Sequence, residues 1–69
     1  MSGRADANID FAHLREFLKS LGFAEYVTGD HFKFSRPGVV EIINLQPVGK
    51  SAKVYQVRQV REILLRYGL

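Results

Sequence analysis

Thr28-Gly29-Asp30-His31-Phe32-Lys33-Phe34 is the stretch on which the fold turns. A glycine turn ends in it and an alternating strand begins. Successive side chains of a strand point to opposite faces. Phe32 and Phe34 therefore share one face, and His31, Lys33 and Ser35 share the other. With the aromatic pair set against a core, an imidazole and an ammonium stand outward side by side. A core has no use for that combination, which makes this strand the first place to look for function.

The flanking segments supply a sheet. Residues 23–27 are rich in aromatic and β-branched side chains and predict a strand before the turn. Arg36-Pro37-Gly38 predicts the next turn, with proline fixing one φ and glycine free to adopt the following one. Residues 39–45 predict a third and most apolar strand. Ile42 and Ile43 are adjacent there, so one of them must face away from the core. Both connections are short, which makes the three strands antiparallel neighbours.

A helix is predicted at each end. Asp10 has the chemistry of an N-cap, and Phe11, Leu14, Phe17, Leu18 and Leu21 recur at helical spacing. Gly22 then stops the helix in the left-handed conformation. Residues 46–53 read as a loop, with Pro47, Gly49 and Ser51. From about Tyr55 the helical period returns in Val57, Val60, Ile63, Leu64 and Tyr67. Gly68 ends this second helix, and Leu69 is placed to fold back on it. Two amphipathic helices can bury their stripes only by packing side by side on the apolar face of the sheet. The expected architecture is an α+β two-layer sandwich in the order α-β-β-β-α, with a three-stranded antiparallel sheet. Residues 1–8 are polar and read as a disordered lead; residues 9–69 form the single domain.

A chain of 69 residues supports one modest core. It has no cysteine, so neither a disulfide framework nor a thiolate metal site is available. No apolar run approaches the roughly 18 residues of a membrane helix, and no signal peptide is visible. The cytoplasm is the expected compartment. Residues 1–35 hold four basic and five acidic side chains, whereas residues 36–69 hold six basic and two acidic ones. A basic half suits a polyanion such as nucleic acid, although a net charge of +3 also serves ordinary solubility.

His31 is the leading chemical candidate, because imidazole exchanges a proton near neutral pH. Gly29 sets its turn, and the Asp30 carboxylate can cap that turn or favour the imidazolium. The plain alternative is an exposed histidine that merely begins a strand. His13, near the start of the first helix, is the weaker rival, since the helix dipole does not favour a cation there. Two separated histidines make no metal motif, and no cofactor-binding pattern is present. The cations Lys33, Lys50, Lys53, Arg58 and Arg61 suit a phosphate backbone. Lys33 shares the His31 face, Lys50 and Lys53 flank the start of the last helix, and Arg58 and Arg61 are neighbours on it. Solvated surface charge is the ordinary explanation for any one of them.

The segments "LKSLGF", "TGDHFKF" and "VVEIINLQPVGKSAKVYQVRQVREILLRYGL" together resemble HicA-family toxins, over about residues 9–69. The shared pattern is a short helix, a Gly-x-His strand start, a strand running into a loop, and a closing helix that ends near Gly-Leu. The resemblance implies a double-stranded-RNA-binding-like fold and a ribonuclease that cleaves messenger RNA and inhibits translation. It implies that His31 is catalytic and that a HicB-like antitoxin masks the toxin. Many members read Gly-Ser-His-His where this chain reads Gly29-Asp30-His31-Phe32. An acid thus replaces the serine, and an aromatic replaces the second histidine. The function expected is a metal-independent endoribonuclease toxin, monomeric when free, with no cofactor. The alternative is a non-catalytic RNA- or protein-binding module of the same fold.

Overall fold

The computed structural model describes residues 9–69, so the expected disordered lead lies outside the described residues. Helix α1 spans Phe11–Ser20, strand β1 Ala24–Thr28, strand β2 His31–Arg36, strand β3 Val39–Leu45 and helix α2 Val54–Arg66. The sheet is antiparallel in the order β1-β2-β3, with Phe34 opposite Glu25 on one side and Ile43 on the other. The α-β-β-β-α order and the antiparallel pairing agree with the sequence reading.

Local chemistry accounts for each boundary. The Asp10 carboxylate accepts from the amides of Ala12 (2.8 Å) and His13 (3.3 Å), capping α1. Both helices close in the same way. Gly22 adopts φ +94°, and the amides of Gly22 and Phe23 donate to the carbonyls of Lys19 and Leu18. At the end of α2, Gly68 and Leu69 donate likewise to Leu65 and Leu64. This is the Schellman arrangement, in which two otherwise orphaned carbonyls are satisfied. The β1–β2 hairpin has Gly29 at φ +60° in its first central position, as a type II′ turn requires. Gly38, after Pro37, takes φ +90°, the position that glycine fills in a type II turn.

The helices cover one face of the sheet. Phe11, Leu14 and Leu18 of α1 and Val57, Val60, Ile63 and Leu64 of α2 close over Phe34, Val39, Ile43 and Leu45. Phe34 and Ile43 are fully buried, whereas Ile42 is 64% exposed. The adjacent isoleucines are thereby assigned: Ile43 belongs to the core and Ile42 to the open face. Burying a side chain such as Phe34 stabilises the fold by about 1.5–3 kcal/mol. Phe17 departs from the helical stripe of α1. It is 49% exposed and lies at the rim of an apolar groove between the two helices.

Two polar clamps tie the layers together. Arg15 on α1 donates to both oxygens of Glu25 on β1, at 2.6 and 2.9 Å, and its guanidinium lies 4.7 Å from the centre of the Phe32 ring. Arg15 hydrogen bonding holds the Glu25 carboxyl below its ordinary range, against the opposing effect of burial. At the other edge, Arg66 and the Tyr67 hydroxyl both donate to Glu41, and the Tyr67 oxygen accepts from the Val40 amide. The ladder register shifts between Phe34 and Arg36, where four residues of β3 span two of β2. The contacts of Tyr67 and Arg66 therefore fasten α2 to an irregular stretch of β3.

Candidate functional site

His31 is the first residue of β2, opposite Thr28 across the hairpin. Its backbone belongs to the sheet ladder, and its side chain is 51% exposed on the face the helices leave open. Beneath it on the reverse face, Phe32 is held between Phe11, in an edge-on contact at 5.0 Å, and Arg15. The strand that carries the imidazole is thus gripped from behind.

Asp30 is the acidic group paired with His31. Its Oδ1 lies 3.8 Å from His31 Nε2, which is an ion-pair distance and too long for a hydrogen bond. Its Oδ2 accepts from Gln46 Nε2 at 2.7 Å. Gln46 directly follows β3, and its main chain is held in turn by Gln56 of α2. The Gln56 amide donates to the Gln46 carbonyl at 3.0 Å and accepts from the Gln46 amide at 3.1 Å, its orientation being assigned from this pairing. Gln56 is buried at 5% exposure, the only such polar residue among the described residues. Both ends of its amide find partners, as burial demands. A chain of contacts thus runs from the core through Gln56, Gln46 and Asp30 to His31. Neither glutamine stands out in the sequence. Gln56 occupies a core-facing position of α2, immediately before Val57, and that polar residue at an apolar station was the available signal.

The cations divide between two sides of the molecule. Lys33 stands on the open face with His31, two residues along β2 and opposite Tyr26 and Asn44. Successive residues on one face of a strand are about 6.5 Å apart, so one phosphate can meet both side chains. Lys50 and Lys53 lie in the loop that leaves Gln46. That loop packs on the start of α1, where the Phe11 amide donates to the Lys50 carbonyl at 2.8 Å and Ala52 donates to Ile9. Lys50 and Arg15 line a groove of about 250 Å³ there, with Asp10 and Pro47. Lys53 precedes α2, with its ammonium 5.8 Å from the centre of the Tyr55 ring. Arg58 projects from the helix opposite the buried positions Val57, Val60 and Leu64, and Arg61 lines the interhelical groove. The sheet and the helical layer therefore separate Arg58 and Arg61 from His31, and the fold does not bring those two to the imidazole. His13 is exposed on α1 and likewise belongs to the helical layer.

This arrangement sets an accessible imidazole on the same strand face as an ammonium, with the core packed behind the strand. Among the described residues, no group of three or more histidines, cysteines or acids is placed to hold a metal ion. No helix among them is long and apolar enough to cross a membrane. No protein-family model, curated protein or solved structure matches the chain.

Proposed function

We propose that the chain is a metal-independent endoribonuclease of the HicA-like toxin class, with a double-stranded-RNA-binding-like fold. It acts on messenger RNA in the cytoplasm and is neutralised by a HicB-like antitoxin. The observation that carries this reading is the exposed His31 imidazole at the start of a core-backed strand, with Lys33 beside it.

The chemistry follows from those two groups. His31 removes the proton of a ribose 2′-hydroxyl. The 2′-oxygen attacks the adjacent phosphorus and the bond to the 5′-oxygen breaks. That oxygen takes a proton from the imidazolium or from water. The products are a 2′,3′-cyclic phosphate and a 5′-hydroxyl, and no oxidant or metal enters the balance. Lys33 offsets the negative charge that builds on the phosphoryl oxygens. Lys50 and Lys53 hold the flanking backbone, Asp30 supplies a counter-charge to the imidazolium formed in the reaction, and Gly29 shapes the turn. Arg58 and Arg61 serve a longer stretch of RNA or the antitoxin.

A second reading, a non-catalytic binding module, is favoured by Asp30. A carboxylate 3.8 Å from His31 opposes the approach of a phosphate. Induced expression in cells separates the two readings. The ribonuclease reading requires growth arrest with loss of intact messenger RNA, relieved by co-expression of the antitoxin. Salt-sensitive RNA binding with intact messenger RNA would establish the binding module instead.

A further inference from the structure

We propose that Tyr26 is a stacking platform for a nucleobase of single-stranded RNA, adjacent to the phosphate held at Lys33 and His31. The inference rests on the ribonuclease reading for the class of its ligand and adds a subsite to it.

Tyr26 lies in the middle of β1 and is 66% exposed, so the core makes little use of its ring. It is directly opposite Lys33 and diagonal to His31 in the ladder. Directly opposed side chains of an antiparallel pair start about 5 Å apart and diagonal ones about 7–8 Å apart. A base on Tyr26 therefore places its own phosphate, or the next one, over Lys33. The neighbours of Tyr26 on the same face of β1 are Ala24 and Thr28, both small, which leaves the flat side of the ring open.

Charge favours the same ligand. His31 and Lys33 are the ionisable strand residues on this face besides Tyr26 itself. The two strand carboxylates, Glu25 and Glu41, lie on the opposite face and are engaged by Arg15 and by Arg66 with Tyr67. Asp30 stands beyond the strands, in the turn. An aromatic ring set beside a lysine, a histidine and small residues fits the pattern that tracks single-stranded nucleic acid, where every base has a face to stack. A duplex keeps its bases inside and offers the ring nothing comparable.

The test is binding of a single-stranded oligoribonucleotide and of a duplex of equal length, measured on His31→Ala protein so that the RNA stays intact. Cleavage by the His31-containing chain is followed separately. Tyr26→Thr, which retains strand propensity, is expected to weaken single-strand binding about 5- to 150-fold. Tyr26→Phe is expected to bind like Tyr26 protein, and duplex binding to be indifferent to both changes. The chain has no tryptophan, so Tyr26→Trp adds a single fluorophore whose emission falls when a base stacks on it. Should the His31-containing chain cut no RNA while single-strand binding still depends on Tyr26, the ribonuclease reading fails and the subsite stands. Unchanged single-strand binding by Tyr26→Thr overturns the subsite even if cleavage is present, and leaves Tyr26 to a protein contact. Absence of any RNA binding overturns it as well.

Discussion

Gln56→Leu is the substitution that most sharply tests the contact chain behind His31. Leucine is close to glutamine in size and suits the apolar surroundings of Val57 and Val60, so packing is largely kept. The loss falls on Gln46, whose amide and carbonyl are each held by Gln56, at 3.1 and 3.0 Å. An unpaired buried polar group costs about 1–3 kcal/mol. Gln46 is half-buried and water reaches it in part, so about 1–1.5 kcal/mol applies to each group, about 2–3 kcal/mol together. The whole fold of a chain this long is stable by only about 3.5–10 kcal/mol. With a urea dependence near 1 kcal/mol per molar, the unfolding midpoint should fall by roughly 2–3 M. A functional effect should accompany it. With its backbone loosened, Gln46 no longer holds Asp30, and RNA cleavage should drop at temperatures where the protein remains folded. Gln46→Ala separates the two effects, because it removes the donor to Asp30 while leaving the main-chain pairing intact. Its stability change should stay below about 1 kcal/mol, with cleavage reduced. A Gln56→Leu midpoint within about 0.5 M of the parent would refute the reasoning, since water would then be replacing the amide fully.

Three further outcomes are expected. Glu25 has a folded-state carboxyl held below its ordinary value of 4.5, so its contribution is fully present above that pH and is lost as pH falls through the lower, folded value; acid unfolding monitored by circular dichroism should lose this component in Glu25→Gln. Asp30→Asn keeps an acceptor for Gln46 but removes the charge beside His31; steady-state kinetics should show tighter RNA binding together with a lower kcat, because the imidazolium formed in the reaction loses its counter-charge. Lys33→Ala should reduce the slope of log binding constant against log salt by about 1, the signature of one lost phosphate contact.

Much of the architecture was legible because its signals are local. Alternation in Phe32 and Phe34, the capping chemistry of Asp10, and the stops at Gly22 and Gly68 each depend on a few neighbouring residues. The structure places them where those residues imply. The side on which each isoleucine of the Ile42-Ile43 pair lies was not legible, since alternation alone allows either. The ladder settles it through the pairing of Ile43 with Phe34. Phe17 fitted the helical spacing of α1 yet is half-exposed, because the groove between the helices leaves one side of its ring uncovered. At the candidate site, His31, Lys33 and Asp30 could be named from seven consecutive residues. The link of Gln46 and Gln56 to His31 could not, because it joins the residue after β3 to α2 and exists only once the chain is folded. Arg58 and His31 show the opposite case. Each is a reasonable phosphate ligand by residue type, and the layer order sets them on different faces.

The central claim is that the His31 imidazole moves the proton in RNA cleavage. Its most direct test is the single-turnover rate at which purified protein cuts a single-stranded RNA in the presence of chelator, compared with folded His31→Ala. Positioned acid–base catalysis contributes about 100- to 10,000-fold, so the variant should be at least about 100-fold slower, and the fragments of the active chain should end in 2′,3′-cyclic phosphate. Cleavage by His31→Ala at the parent rate would contradict it.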